Sequence, residues 1–165
     1  MPDDRIMVMN TGPILALIAA IGDLTLLDEL YDRVVVPRCV ADEVLAGGAV
    51  GFGVEPFRRA GFLDVQESYC RTELFLQRSL DRGEAAVIQT ACNLSINRVC
   101  IDEAMGRRVS RLYGLSVTGS LGILIKGIKA GKGLHLELCI EKMRQQGVWI
   151  SDKTARQAQE MVSRP

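Results

Sequence analysis

Three short, mostly apolar runs in this chain each end on one polar residue standing directly before a helix-forming stretch. Residues 6–9 precede Asn10, residues 98–101 precede Asp102, and residues 115–117 precede Thr118. A further run, Val34-Val35-Val36, is apolar at every position, the pattern of a strand buried on both faces. Short buried strands alternating with helical patterns imply a parallel sheet covered by helices on both sides. The expected class is therefore α/β: a three-layer α/β/α sandwich around a central, mainly parallel sheet. Ligands of such sheets bind outside the carboxyl ends of the strands, which directs attention to the polar residues placed there.

The helical stretches have recognisable ends. One runs from Thr11-Gly12-Pro13 to about residue 20, and Asp23 can cap the next, which carries Leu24, Leu27 and Tyr31. Pro37 suits the first turn of a helix that stops at Gly47-Gly48. The stretch 47–53 holds four glycines in seven residues and reads as the most flexible of the chain. Residues 62–67 fit a strand or an edge segment. Helices are expected over about 71–80, 81–94, 103–113, 119–130, 134–146 and 152–162. Neither an internal repeat nor a linker interrupts the 165 residues, a length that one core commonly serves, so a single domain over 1–165 is expected.

Twenty Lys and Arg balance twenty Asp and Glu, so any handling of a polyanion must rest on local patches rather than on overall charge. Five cysteines (Cys39, Cys70, Cys92, Cys100, Cys139) show no C-x-x-C spacing, and His135 is the sole histidine. A Cys/His zinc site and a histidine-based triad are thus poorly supported. The cysteines read as reduced core residues, as expected in the cytoplasm. The acidic start Met1-Pro2-Asp3-Asp4 lacks the basic flank of a signal peptide. The longest apolar run, residues 14–21, is too short for a membrane span. A cytoplasmic protein without membrane attachment is expected.

For Asn10, Asp102 and Thr118 the simplest explanation is helix capping, which favours these residue types. Two further acids stand on apolar helix stripes: Glu43, three residues after Val40, and Glu84, four residues before Ile88. A lone carboxylate on such a face is costly to desolvate. Asp81-x-x-Glu84 also fits a capping box, and Glu43 can turn along its helix flank to solvent. Acids converging without a histidine or cysteine partner suit a hard divalent cation such as Mg²⁺ or Mn²⁺.

The ordered series Met9-Asn10-Thr11-Gly12-Pro13, Val36-Pro37-Arg38-Cys39-Val40-Ala41-Asp42-Glu43-Val44, Arg82-Gly83-Glu84-Ala85-Ala86, Ile101-Asp102-Glu103-Ala104-Met105-Gly106-Arg107-Arg108 and Thr118-Gly119-Ser120-Leu121-Gly122 resembles a PIN domain over nearly the whole chain. It looks most like a VapC-like branch of that family. The resemblance implies a Mg²⁺- or Mn²⁺-dependent endoribonuclease, with the metal held at Asn10, Glu43, Glu84 and Asp102. Glu43, Glu84 and Asp102 are the implied catalytic acids, and Glu103, Thr118 and Ser120 would support them from behind. The implied chemistry is in-line attack of a metal-activated water on an RNA phosphodiester. The family usually carries Asp where this chain has Asn10, which removes one negative charge while keeping an oxygen donor. The resemblance also implies a toxin paired with a small antitoxin protein, and a homodimer.

Arg107, Arg108 and Arg111 follow Asp102 on one helix and are candidate RNA-binding residues; Lys126, Lys129 and Lys132 read as solvated helix surface or as an extension of that patch. Eight aromatic residues in the chain leave little for base stacking, so contacts to the RNA backbone and shape are favoured. The chain lacks G-x-x-x-x-G-K-[ST] and a G-x-G-x-x-G after its first strand, which argues against a nucleotide cofactor. The competing reading is a catalytically weak or inactive PIN fold that binds RNA or a protein partner. Either way, unneutralised acids at the site should make RNA affinity depend on divalent ions.

Overall fold

The computed structural model describes residues 2–165. After a 3₁₀ turn (Pro2–Arg5), the order is β1 (Ile6–Met9), α1 (Thr11–Ile21), α2 (Thr25–Leu30), β2 (Arg33–Val36), α3 (Arg38–Ala46), α4 (Val54–Arg59) and β3 (Asp64–Val65). The second half continues with α5 (Leu74–Ser79), α6 (Arg82–Asn93), β4 (Arg98–Cys100), α7 (Ala104–Leu112), β5 (Ser116–Thr118), α8 (Ser120–Lys129), α9 (Leu136–Gln145) and α10 (Asp152–Ser163).

The five strands form one sheet in the order β3-β2-β1-β4-β5, and every pairing is parallel. Met7, Val8 and Met9 of β1 and Val34, Val35 and Val36 of β2 are fully shielded from solvent. Burial of successive residues means that both faces of the sheet are covered, the signature of a three-layer α/β/α sandwich. α6 packs on β1 and β4, while α1 packs against α3, α8 and α9.

The topology has one consequence for function. From β1 the chain adds β2 and β3 on one side, then crosses over to add β4 and β5 on the other. The order therefore reverses between β1 and β4, a switch point that leaves a crevice at the carboxyl ends of those two strands. Asn10 follows β1 and Asp102 follows β4, so both stand at that crevice. The Asn10 amide donates to the Cys100 carbonyl across it at 3.1 Å.

Local details explain several ends. Asp23 accepts from the Thr25 amide and hydroxyl at 3.0 and 2.7 Å, anchoring the start of α2. Gly47 ends α3 at φ +69°, where an added Cβ would lie 2.7 Å from the Val54 side chain, so the site requires glycine on both counts. The 47–53 segment is a series of turns exposed at 48–51 and anchored at its end, where Gly53 precedes α4 so closely against Leu15 that a Cβ would stand 2.6 Å from it. α4 is not among the expected helices; its Pro56 lies in the first turn, where a missing N–H costs no intrahelical bond. Cys92 also departs from the core assignment. It is exposed in the last turn of α6, where the helix leaves the layer, and only Cys100 and Cys139 are buried. No helix among the described residues is long and apolar enough to cross a membrane.

Candidate active site

Asn10 is the residue least explained by the fold. It occupies the N-cap of α1 yet its side chain makes no capping bond. It is 7% exposed, and its Oδ1 is buried without a hydrogen-bond partner. A buried acceptor left unpaired costs free energy, on the order of 1–3 kcal/mol, so such an atom marks a place where something else is bound or paid for. Helix capping therefore does not account for Asn10.

Three carboxylates approach the same crevice, and each is held by a neutral donor. Glu43 on α3 accepts from the Thr11 hydroxyl at 2.9 Å. Glu84 lies in the first turn of α6 and is 5% exposed. Its Oε2 accepts from the Asp81 amide at 3.3 Å while its own amide donates to Asp81 Oδ1 at 2.8 Å, the capping box anticipated from the sequence. Burial, then the neighbouring Asp81 charge, raises the Glu84 carboxyl above its ordinary range, and Glu103 adds to this; the Asp81 amide bond opposes it. Asp102 does not cap α7. It reaches to α8 instead, accepting from the Ser120 amide at 2.8 Å and the Ser120 hydroxyl at 2.9 Å. None of Glu43, Glu84, Asp102 and Glu103 forms an ion pair among the described residues.

Three glycines make room for these oxygens. A Cβ on Gly83 would lie 2.9 Å from Asn10 Oδ1 and 3.5 Å from Glu43 Oε2, so both oxygens face the same bare stretch of α6. One on Gly106 would lie 2.8 Å from Glu84 Oε1, and one on Gly119 would lie 2.6 Å from Asp102 Oδ1. In sequence Gly83 is signalled only as the neighbour of Glu84; Gly119 and Gly106 lie on other segments than the acids they adjoin, Asp102 and Glu84, and have no such signal.

The remaining candidates divide. Ser120, 3% exposed, supports Asp102 directly. Thr118 ends β5, with its hydroxyl where a Cβ on Gly122 would come within 2.6 Å, so it packs on α8 rather than bonding an acid. Glu103 is exposed at the start of α7. Arg107 is half-buried and donates to the Ile101 carbonyl at 3.0 Å, beside Gly119 and Asp102. Arg108 and Arg111 are exposed. Two lysines in and after α8 belong elsewhere: Lys126 sits 4.2 Å from the centre of the Tyr31 ring, and Lys132, beyond the helix, pairs with Glu29 at 2.8 Å.

The donors at the crevice are an amide oxygen and carboxylates, all hard oxygen ligands. No three His, Cys, Asp or Glu side chains among the described residues converge closely enough to hold an ion alone. Mg²⁺ does not require such a cage, since it keeps several waters and is commonly held by one or two carboxylates. The orphaned Asn10 oxygen beside Glu43, with Glu84 and Asp102 at the same sheet edge, thus fits a hydrated divalent cation.

The fold and this acidic switch point define an α/β protein built to gather negative charge at one sheet edge. A family model described as a PIN domain matches residues 6–164. The chain belongs to the PIN domain family, a nuclease family whose members generally use divalent metal ions. No curated protein and no solved structure matches it.

Proposed function

We propose that the protein is a Mg²⁺- or Mn²⁺-dependent endoribonuclease. Three carboxylates, none of them in an ion pair among the described residues, and an unpartnered amide oxygen border the sheet's switch point, and the buried Asn10 Oδ1 is the observation that carries the reading. Asn10, Glu43, Glu84 and Asp102 would hold the ion. When bound, it would supply Lewis acidity to the phosphodiester and lower the pKa of water. Thr11 and Ser120 keep Glu43 and Asp102 aimed at the crevice without removing their charge. Glu84, whose carboxyl burial holds above its ordinary range, is suited to orient or accept a proton from the attacking water. Arg107, fixed on the Ile101 carbonyl, and the exposed Arg108 and Arg111 would meet the RNA phosphates.

Within this reading the protein is a cytoplasmic, VapC-like toxin, dimeric and restrained by a small antitoxin protein. The direct test is RNA cleavage with Mn²⁺ by the native chain, Glu84→Gln and Asp102→Asn. Loss in both variants supports the assignment, and equal residual cleavage in all three overturns it. Asn10 itself favours a second reading, a PIN fold that binds RNA or protein without cutting it, because a neutral amide contributes less to cation affinity than a carboxylate. RNA binding by the native chain, with no cleavage in Mn²⁺, would establish that reading instead.

A further inference from the structure

Beside the acidic crevice lies a second feature that the acids do not use. The irregular segment between β3 and α5 is laid across α6 and tied down at three points. The Tyr69 hydroxyl donates to Asp42, the Cys70 thiol contacts the Ala86 carbonyl at 3.8 Å, and the Glu73 amide donates to Gln89 Oε1 at 2.9 Å. Between this strap, the start of α3 and the outer face of α6 is a cavity of about 150 Å³, lined by Arg38, Tyr69, Arg82 and Asn93 among others. It adjoins the crevice through the chain itself: Arg82 precedes Gly83 and Glu84, and Arg38 begins the helix that carries Glu43.

The lining specifies the ligand's chemistry. Tyr69 is 58% exposed, and the Arg82 guanidinium stands over its ring at 5.1 Å from the centre. Arg82 has no carboxylate in ion-pair range among the described residues, whereas Arg38 is held by Asp42 at 3.1 Å. A flat aromatic face, a planar cation outside any ion pair among the described residues and surrounding amides together recognise a planar ring attached to an anion. The volume is well below the roughly 300–1,000 Å³ of a pocket for a complete drug-sized ligand, so it admits one ring or one phosphate group rather than a whole cofactor. Unstacked bases of single-stranded RNA are bound in this way, on aromatic rings and arginine planes, whereas a duplex keeps its bases inside the helix.

We infer that this cavity is a nucleotide subsite, taking one unstacked residue of single-stranded RNA flanking the scissile bond, with its base on the Tyr69–Arg82 pair and its phosphate on Arg82. The inference rests on the ribonuclease reading and adds the form of RNA that the site selects. Asp42 serves as a positioning residue here, since it fixes both Tyr69 and Arg38.

The test measures binding and turnover separately. Fluorescence anisotropy with a labelled single-stranded RNA 12-mer, and with the duplex of the same sequence, is recorded in Ca²⁺ for the native chain, Tyr69→Ala, Tyr69→Phe, Arg82→Ala and Arg82→Lys. Single-strand binding should weaken about tenfold in Tyr69→Ala and Arg82→Ala, with duplex binding unchanged. Tyr69→Phe retains the ring and should retain most of the affinity; Arg82→Lys, which keeps the charge but not the plane, should fall between. In Mn²⁺ the Tyr69→Ala and Arg82→Ala variants should raise KM for the single strand with kcat within about twofold, the split expected of lost substrate binding. Native-like single-strand affinity in Tyr69→Ala and Arg82→Ala overturns the subsite, as does a native chain that binds duplex as tightly as single strand. A native chain that shows the binding pattern yet cuts no RNA overturns the ribonuclease reading while leaving the subsite supported.

Discussion

At the amino edge of the sheet, charged side chains stand in opposite-sign pairs; at the carboxyl edge, Glu43, Glu84 and Asp102 stand outside any ion pair among the described residues. Arg5 pairs with Asp32 at 2.9 Å, Arg33 with Asp64 at 2.7 Å and Arg98 with Asp4 at 2.8 Å, all around the strand starts. Nearby, Lys126 lies over the Tyr31 ring. Across the sheet, Glu43, Glu84 and Asp102 are held by a hydroxyl, an amide and a serine respectively. A neutral donor fixes a carboxylate's position and leaves its charge unspent. An arginine partner would fix it too, but would cancel the field that attracts a cation. The first edge is arranged for stability and the second for binding, and departures from local satisfaction are expected where function is served.

The contrast breaks most visibly when a carboxyl-edge charge is removed. Glu84→Gln and Asp102→Asn should lower Mn²⁺-dependent cleavage by about 10²-fold or more. Neither should lower the thermal midpoint of the metal-free protein. Gln can still close the capping box, Asn can still accept from the Ser120 amide, and each substitution removes repulsion. A large fall in metal-free stability would show these acids to be structural. Next in size, Asn10→Asp should tighten Mn²⁺ binding about tenfold, or about 1.4 kcal/mol, by isothermal calorimetry; unchanged affinity would place Asn10 outside the site.

Gly106→Ala separates the two edges' logic on one helix. Helix propensity alone would stabilise α7 by up to about 1 kcal/mol. The new Cβ would instead lie 2.8 Å from both Glu84 Oε1 and Ile101 Cγ2, so the thermal midpoint should not rise and Mn²⁺ affinity should fall severalfold. At the opposite edge the relevant titration is that of Tyr31. Burial, helped by the Cys100 thiol and opposed by Arg98, pushes its hydroxyl up to about 12. An unfolded tyrosine titrates near 10, so the neutral ring is favoured by the fold. Its contribution is complete below about pH 10 and is lost as pH climbs through about 12. Melting curves of Tyr31→Phe should accordingly be flatter than the native ones over that interval.

Much of the architecture is legible in sequence because buried parallel strands are apolar at successive positions and end on polar punctuation. Val34-Val35-Val36 and the residues Asn10 and Asp102 are of this kind, and they fall at strand and strand end as read. β3 is only Asp64–Val65 at the sheet's rim, where one face needs little apolar cover, so its pattern is weak. The order β3-β2-β1-β4-β5, which creates the crevice, depends on which way each crossover turns and leaves no trace in local pattern. Glu43, expected on an apolar face, is exposed, although its carboxylate accepts from the Thr11 hydroxyl and faces Gly83 beside Asn10. The Tyr69–Arg82 pair leaves no local signal for a related reason: the strap that brings the Tyr69 ring under the Arg82 guanidinium is an irregular segment without periodicity. Lys126 and Lys132 illustrate the reverse, since α8 runs antiparallel to the strands and carries its last turn to the amino edge.

The central claim is that the carboxyl edge keeps its charge for a divalent ion. The most direct measurement is the thermal midpoint of the metal-free protein against added Mn²⁺, for the native chain, Glu84→Gln, Asp102→Asn and the amino-edge variant Asp32→Asn. A ligand bound only by the folded state raises the midpoint with concentration. The native chain and Asp32→Asn should show the same Mn²⁺-dependent rise, with Asp32→Asn offset downward by less than about 1 kcal/mol for its exposed pair; Glu84→Gln and Asp102→Asn should lose most of it. An equal rise in all four proteins, or none in the native chain, would contradict the account.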